Sequence, residues 1–278
     1  MSRMTVAVGS VLALVCSVAV AVAADAPSAA AKLSAQQIVE KNVAARGGLQ
    51  AWQAVHTLSM SGKVDAGGNE SPARLAVQGV KMGGVELPKR PAEQTQLPFR
   101  LELKRERKSR LELDFQGQTA VQVYDGTQGW KLRPFLNRHE VEPFTDLEMT
   151  AAALQSDLDG PLVGYASKGT KVELEGTDKV EGNDTYRLKL TFKNGKTQLL
   201  WIDAKTFLEA KIEGTPRRLD GKYHPVEVYY RDYRAVGGLT MPYLMETKVQ
   251  GVKQTEKIQV EKLSVNPPLE DSRFAKLQ

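Results

Sequence analysis

The sequence contains very little cysteine and histidine. Among 278 residues there is one cysteine, Cys16, and the three histidines, His56, His139 and His224, stand far apart. One cysteine excludes a disulfide-stapled fold, and isolated histidines without a second ligand at metal spacing do not form a zinc motif. We therefore predict no metal site and no cofactor.

A strong excess of charge of one sign is also missing. The 38 lysines and arginines nearly balance the 33 aspartates and glutamates, and the formal net charge is +5. Because nucleic-acid-binding chains concentrate basic residues on one face, we predict no nucleic-acid partner. The densest basic run, residues 104–110, is interpreted as a solvated hairpin end. The alternative is a patch that attracts anionic headgroups or an acidic partner.

Catalytic motifs are absent as well. The sequence has no Gly-x-Ser-x-Gly elbow, no phosphate-binding loop and no candidate cysteine nucleophile. Asp157 with Asp159, or Asp203 with nearby acids, could pair as acid and base, but carboxylates are too common to indicate a site by themselves. We predict that the protein is not an enzyme, and an acidic catalytic site stays as an alternative.

A long hydrophobic run occurs only at the N-terminus. Residues 6–22 are uncharged and apolar or small, and the run ends in the small-x-small pattern Ala21-Val22-Ala23. This predicts a cleaved signal peptide over 1–23 and a single mature domain over 24–278; a membrane anchor is the alternative. Cys16 lacks the preceding small residue that lipoprotein processing requires. We expect a periplasmic protein that is not lipid-anchored.

Two periodicities divide the rest of the chain. A capping box at Ser34 begins a helix that ends at Gly47-Gly48, and Leu49–Val55 is predicted as a second, short helix. From Thr57 onward apolar and polar residues alternate, which is typical of strands with one wet face. The alternation predicts about eleven antiparallel strands, with Asn194-Gly195 as the strongest hairpin signal.

Two segments interrupt this alternation. Residues 81–98 hold two glycines and three prolines and are predicted as a loop or flap. Residues 145–158 begin with a capping box and place Leu147 and Leu154 on one face, which predicts an inserted helix. With so few helices, a flat sheet would leave a large apolar face uncovered. We predict a mainly β (α+β) fold, in which a curled antiparallel sheet forms an incomplete β-barrel with the helices as a lid.

Such a curled sheet encloses a cavity lined by its inward apolar side chains. A surplus apolar concavity is a candidate ligand site. The side chains predicted to line it are Trp52, Leu58, Met60, Leu101, Leu103, Leu111, Leu113, Phe115, Trp130, Leu147 and Leu154.

Five short motifs follow one another along the chain. They are Arg46-Gly47-Gly48-Leu49, the segment Tyr124–Trp130, the segment Trp201–Thr206, the segment Asp232–Pro242 and the segment Val265–Leu269. In their order and spacing, from about Ser34 to Leu269, they resemble the LolA/LolB-like superfamily of outer-membrane lipoprotein-sorting proteins.

The resemblance implies a half-barrel with lid helices over an apolar cavity. It implies that Asp125, Gly126, Gly129 and Trp130 form a structural turn with an inward aromatic, and that Asp203 lies in a turn between two late strands. The expected function is that of a periplasmic carrier of the acyl chains of a lipoprotein or lipid, with membrane-bound donor and acceptor proteins as further partners. The alternative is an envelope regulatory or protein-binding module on the same fold.

Overall fold

The structure, a computed structural model, describes residues 33–66, 81–82, 85–86, 94–134, 138–219 and 221–277. The elements below belong to one compact unit, Ser34–Gln278. The predicted signal peptide lies outside the described residues, as do residues 74–80, where the alternation of apolar and polar residues predicts one further strand. Within the described part, no helix has the length and apolar character needed to cross a membrane.

The described residues contain three α-helices, and two of them begin with the predicted capping boxes. Helix α1 covers Ala35–Ala45 after the Ser34–Gln37 box, and helix α2 covers Leu49–Gln53. Helix α3 covers Asp146–Gln155 after a box formed by Thr145 and Glu148. In each box the side chains satisfy backbone N–H groups that a free helix end leaves unpaired.

The described residues form fifteen strands. Their bounds are β1 Thr57–Ala66, β2 Lys81–Met82, β3 Val85–Glu86, β4 Thr95–Lys104, β5 Lys108–Phe115, β6 Gln118–Tyr124, β7 Gly129–Arg133, β8 Arg138–Pro143, β9 Lys171–Val180, β10 Asn183–Thr191, β11 Thr197–Asp203, β12 Glu209–Leu219, β13 Lys222–Val236, β14 Leu239–Val249 and β15 Glu256–Val265.

Thirteen of these strands form one antiparallel sheet. Its order is β8-β7-β6-β5-β4-β1-β15-β14-β13-β12-β11-β10-β9, while β2 and β3 pair separately. The sheet is curled and does not close, because its edge strands β8 and β9 do not pair. This confirms the predicted incomplete β-barrel. Strand β8 was not predicted, because most of its side chains are charged or polar, as is common in an exposed edge strand.

The turns between strands lie at two ends of the sheet. Helices α1 and α2 pack at one of these ends, which we call the helix end. There, Asn42 Nδ2 donates to the carbonyl oxygen of Phe207 at 2.8 Å. Arg105 Nη2 donates to the carbonyl oxygen of Trp52 at 2.6 Å. The strand ends at Phe115 and Gln118, at Thr191 and Thr197, and at Leu219 and Lys222 lie at the opposite end, which we call the cavity end.

The main core lies on the concave face of the sheet. There the buried side chains of α2 and of the turn-rich segment 156–170 pack against those of β1, β4, β14 and β15. This cluster comprises Trp52, Val55, Leu58, Phe99, Leu103, Leu158, Val163, Leu239, Met241, Tyr243, Val260 and Leu263.

A second, smaller core covers part of the convex face. The C-terminal segment after β15 ends in a 3₁₀ turn, Asp271–Phe274, and Phe274 is fully buried against Val121 and Val123 of β6. Arg273 Nε donates to Glu102 Oε2 at 2.5 Å. The C-terminal segment therefore shields part of the convex face of β4–β6 from solvent, whereas the alternation predicts that this face is solvated.

The predicted loop at residues 81–98 is wrong at its C-terminal boundary. Strand β4 begins at Thr95, so the last four residues of the predicted loop pair with β1. Pro98 is tolerated because β5 pairs with β4 only from Phe99 onward, which leaves Pro98 with a neighbour on one side. Earlier in the segment, β2 and β3 form a two-stranded hairpin.

The predicted helix at residues 145–158 is too long at its C-terminus. Helix α3 ends at Gln155, and Leu158 belongs to the following turns, where it is buried in the main core. The segment 156–170 also buries Leu162 and Val163. The burial of these apolar residues, rather than helical periodicity, accounts for their spacing.

The basic run at residues 104–110 is not simply solvated, which corrects our interpretation. Lys104 and Lys108 both pair with Asp271, at 3.1 and 3.0 Å. Arg105 pairs with Asp159 at 2.7 Å, and Arg110 Nη1 donates to the carbonyl of Arg273 at 3.1 Å. The run therefore fastens the C-terminal segment and the turn at residue 159 to the sheet.

Candidate functional site

A cavity of about 620 Å³ lies between helix α3 and the cavity end of strands β10–β13. Helix α3 turns its apolar face to it, and the opposite wall comes from strand ends that are far apart in sequence. The lining residues are Leu147, Thr150, Ala151, Leu154, Phe192, Asn194, Lys196, Thr197, Gln198, Glu213, Gly214, Thr215, Pro216, Tyr223, Pro225 and Val226.

The leucines of this wall are exposed. Leu147 and Leu154 are 66 % and 44 % exposed, and α3 buries none of its residues. A helix in a globular protein ordinarily buries an apolar stripe, because burial supplies most of its stability. Packing within the protein therefore does not explain why α3 has leucines at positions 147 and 154, where both face the cavity.

Polar contacts at its two ends hold α3 in place. Lys131 of β7 is buried, and its Nζ lies 2.5 Å from Oε2 of Glu148 in the first turn of α3. Burial opposes ionisation of Glu148, but hydrogen bonds from Lys131 and Thr145 outweigh it and lower the pKa of this carboxyl. Just after α3, Ser156 Oγ donates to Ser109 Oγ at 2.8 Å.

A second apolar surface lies on the same concave face. Register places Leu111 and Leu113 of β5 beside Leu101 and Phe99 of β4, and Met60 of β1 beside Leu101. Apart from buried Phe99, these side chains are only half-buried, although they face inward. The concave face of the sheet thus continues as accessible apolar surface beyond the packed core.

The structure brings most of the predicted lining residues together, in two groups. Trp52, Leu58 and Leu103 are buried in the main core, with half-buried Met60, Leu101, Leu111 and Leu113 packed against them. Leu147 and Leu154 line the cavity instead. Phe115 shares the face of Leu111 and Leu113, at the cavity end of β5. That these residues hold a ligand stays a prediction.

Trp130 is not brought together with the others. It pairs with Val123, whose side chain packs against Phe274 on the convex face. The inward positions of β7 are Gly129 and Lys131, so the expected inward aromatic points the other way. Apolar alternation misleads here because the C-terminal segment also covers the convex face.

Sequence reasoning missed the opposite wall of the cavity. Phe192, Pro216, Tyr223 and Pro225 stand at hairpin ends, where apolar residues have no periodic signal. Tyr223 is 70 % exposed. Only the pairing of β10 to β13 places these residues side by side.

A buried polar cluster occupies the helix end. The guanidinium carbon of Arg46 lies 4.3 Å from the centre of the Trp52 ring, and its Nη1 lies 3.3 Å from Glu209 Oε1. Tyr233 donates to the carboxylate of Glu209 at 3.1 Å. Burial and the neighbouring Glu209 raise the pKa of Tyr233 well above its ordinary value, so the phenol stays protonated and donates.

Comparison with solved structures identifies this architecture. A LolA superfamily protein of Nitrosomonas europaea superimposes with a TM-score of 0.53 over 88 % of this chain and 98 % of that chain, at 13 % identity. A domain of Vibrio parahaemolyticus named for outer membrane lipoprotein sorting gives 0.53 over 87 % and 96 %, at 13 % identity. The chain has the LolA-superfamily fold. The predicted resemblance is confirmed at the level of the fold.

The same fold appears in a protein that carries no functional name. A DUF1329 family protein of Desulfovibrio piger superimposes with a TM-score of 0.51 over 87 % of this chain and 97 % of that chain, at 13 % identity. No protein-family model and no curated protein matches the sequence.

Two glycine motifs of this LolA fold meet at the helix end. A Cβ on Gly47 would lie 2.3 Å from the carbonyl oxygen of Gly238, and the N–H of Thr240 donates to the carbonyl of Arg46 at 3.1 Å. The contact joins the end of α1 to the β13–β14 turn. These two motifs, which contribute to the resemblance, therefore have a structural role.

The two aspartate motifs form turns. Asp125 Oδ1 accepts from the N–H groups of Thr127 and Gln128, both at 2.7 Å. Asp203 Oδ1 likewise accepts from the N–H groups of Lys205 and Thr206. Although burial opposes it, these hydrogen bonds lower the pKa of both carboxyls. Both aspartate side chains therefore stabilise turns between neighbouring strands of the half-barrel.

The carboxylates considered for catalysis are engaged in structural contacts. Asp157 pairs with Lys168 at 2.8 Å, and Asp159 pairs with Arg105 at 2.7 Å. Within the part of the chain that the structure describes, no group of three or more histidine, cysteine or acidic side chains could hold a metal ion. The cavity is instead mostly apolar.

Proposed function

We propose that the protein is a carrier that binds the acyl chains of a lipoprotein or lipid in the cavity under helix α3. The observation that supports this most directly is the pair of exposed leucines, Leu147 and Leu154, that line a cavity of about 620 Å³. This volume is within the range of small-molecule sites, about 300–1,000 Å³.

Acyl chains fit the chemistry of these walls. Each methylene moved from water into an apolar site contributes about 0.8 kcal/mol, so one long chain could supply about 10 kcal/mol before ordering costs. No covalent step is involved. The half-buried surface around Leu101, Leu111 and Leu113 offers further apolar area on the same face.

The place of action belongs to the proposal. The apolar run at residues 6–22 supports export through a cleaved signal peptide, and Cys16 gives no basis for a lipid anchor. A carrier in the periplasm would exchange its cargo with membrane-bound donor and acceptor proteins.

Native mass spectrometry of the protein, purified from its periplasm without detergent, tests the proposal. We expect an additional mass that organic extraction releases as an acylated species. Protein freed of this cargo should bind a fluorescent acylated peptide. A cargo-free mass together with no binding of the peptide would overturn the carrier proposal and direct attention to protein partners.

A pair of matched variants locates the site. Leu154→Glu places a charge in the cavity and should weaken peptide binding at least about tenfold, because a buried charge is costly. Leu49→Glu is the control, because Leu49 is also on a helix and is 47 % exposed, close to the 44 % of Leu154, but is absent from the cavity lining. Equal binding by both variants would place the site elsewhere.

A further inference from the structure

Two hairpin turns meet at the mouth of the cavity. Strands β10 to β13 are consecutive antiparallel neighbours, so the β10–β11 and β12–β13 turns lie at the same end of the sheet. Asn194 and Lys196 from the first turn line the cavity together with Tyr223 after the second. We call the described residues of these two turns, 192–197, 218–219 and 221–223, the rim.

The rim carries four exposed basic side chains. Lys193, Lys196, Arg218 and Lys222 are exposed, and none forms an ion pair within the described residues. With Asp220, the one acidic residue within these stretches of the sequence, positions 192–197 and 218–223 carry a net formal charge of +3. Glu213 also lines the cavity, but its carboxylate accepts from the N–H of Leu199 at 2.9 Å.

Several other basic residues of the same strands form ion pairs. Arg217, next to Arg218, forms a two-pronged pair with Glu256 at 2.5 and 2.6 Å. On the convex face, Lys211 pairs with Glu227 at 2.8 Å, and Arg231 pairs with Glu246 at 2.6 Å. The two rim turns thus bring four exposed basic side chains together at one end of these strands.

Exposed apolar groups accompany this charge. Among the described residues, the exposed large apolar side chains are Leu49, Leu147, Leu154 and Tyr223, and the last three line the cavity. Tyr223 pairs with Arg218, so the phenol and the guanidinium lie side by side on one face of the sheet.

We propose that the rim binds the surface of an anionic lipid bilayer, with the mouth of the cavity towards the headgroups. Basic residues near such a surface are attracted to acidic lipids, and a tyrosine is well suited to the boundary between headgroups and acyl chains. The lysines are point charges on flexible stems and need no fixed partner geometry, which suits a fluid surface. The inference deepens and rests on the carrier proposal, because it would bring the cavity next to the source of acyl chains.

Vesicle binding tests the proposal. The purified protein is mixed with vesicles of phosphatidylcholine, with or without about one third phosphatidylglycerol, and bound protein is measured by flotation. We expect binding to the anionic vesicles only, and weaker binding as salt rises from about 0.1 M to 1 M, because the Debye length falls from about 10 to 3 Å.

Charge-matched variants assign the surface. The rim variant Lys193→Gln/Lys196→Gln/Arg218→Gln/Lys222→Gln should lose at least about tenfold in vesicle affinity. The control Arg107→Gln/Lys205→Gln/Lys262→Gln/Lys276→Gln removes the same charge from exposed residues outside the rim and should bind within about twofold of the wild-type protein. Circular dichroism and the unfolding midpoint verify that both variants fold.

The outcomes separate this proposal from the carrier proposal. Equal affinity of the rim and control variants, or no binding to anionic vesicles, would overturn the docking surface, and an acidic protein would then be the partner to seek. If acylated peptide is bound normally while vesicles are not, docking alone fails. If vesicles are bound through the rim while the peptide is not, the carrier proposal fails.

Discussion

The guanidinium of Arg46 and the carboxylate of Glu209 form an ion pair, 3.3 Å from Nη1 to Oε1, between side chains that are 8 % and 9 % exposed. The pair joins the C-terminus of α1 to the first residue of β12. It therefore fixes the helices over the helix end of the half-barrel, away from the cavity end.

Arg46→Met should lower the free energy of unfolding by about 3–5 kcal/mol, because it leaves Glu209 buried without its charge partner. The double variant Arg46→Met/Glu209→Gln removes the unpaired charge and keeps an acceptor for Tyr233, so it should be more stable than the single variant. Urea denaturation measures both. A double variant less stable than Arg46→Met would show that Glu209 is stabilised by other contacts.

Gly47→Ala should destabilise the fold much more than Gly48→Ala. Both glycines have positive φ, at 115° and 91°, so both substitutions incur backbone strain of about 1–3 kcal/mol. A Cβ on Gly47 would also lie 2.3 Å from the carbonyl oxygen of Gly238, whereas one on Gly48 meets nothing within 4 Å. We expect a difference of at least about 2 kcal/mol in thermal or urea unfolding. Similar losses would mean that the β13–β14 turn moves aside without cost.

Acid should loosen helix α3 through Glu148. The lowered pKa of Glu148 means that its ion pair with Lys131 stabilises the fold fully above the unfolded-state value, about 4.3, and is lost as the pH falls through the folded-state value. Protection of the α3 amides from hydrogen exchange should stay constant between about pH 7 and 5 and then decline.

Single variants of Glu148 and Lys131 measure the contribution of each side chain of the ion pair. Glu148→Gln keeps the capping box but leaves Lys131 buried without a partner, and it should cost about 1–3 kcal/mol. Lys131→Met should cost less, because the remaining carboxylate is partly exposed. It should also weaken the decline in protection below pH 5, because only the hydrogen bonds from Thr145 then lower the pKa of Glu148. The same decline in Lys131→Met would assign the acid effect to another group.

Leu113→Glu should prevent binding of an acylated peptide while the protein stays folded, if the half-buried surface on β4 and β5 extends the site. The conservative variant Leu113→Met keeps an apolar side chain of similar size and should bind normally. Fluorescence titration measures both. Normal binding by Leu113→Glu would confine the site to the cavity under α3.

Much of the frame could be predicted from the sequence, because its signals are local. Each capping box needs residues only three positions apart, and both are present at Ser34 and Thr145. Asn194-Gly195 forms the predicted hairpin, with Gly195 at a φ of 79°. Alternation finds the strands whose two faces differ in burial.

The errors occur where burial and local pattern disagree. Strand β8 was missed because an edge strand needs no apolar stripe, and Trp130 was assigned to the wrong face because Phe274, more than 140 residues later, covers the convex side. Half of the cavity was predictable from the leucine spacing of α3. The opposite wall of the cavity depends on the pairing of β10 to β13, and the spacing of residues along the sequence does not indicate which strands pair.

The first and last long strands of the half-barrel are partners. Strand β1 pairs with β15 from Leu58–Val265 to Val64–Ile258, and Asn266 then accepts from the N–H of His56 at 2.7 Å. Pairing that joins distant parts of a chain slows folding, because a long loop must close before the contact forms. A ribosome must therefore finish nearly all of this polypeptide before the central strand can gain its second neighbour. The sheet of the half-barrel therefore stays divided at its central strand until β15 has been synthesised.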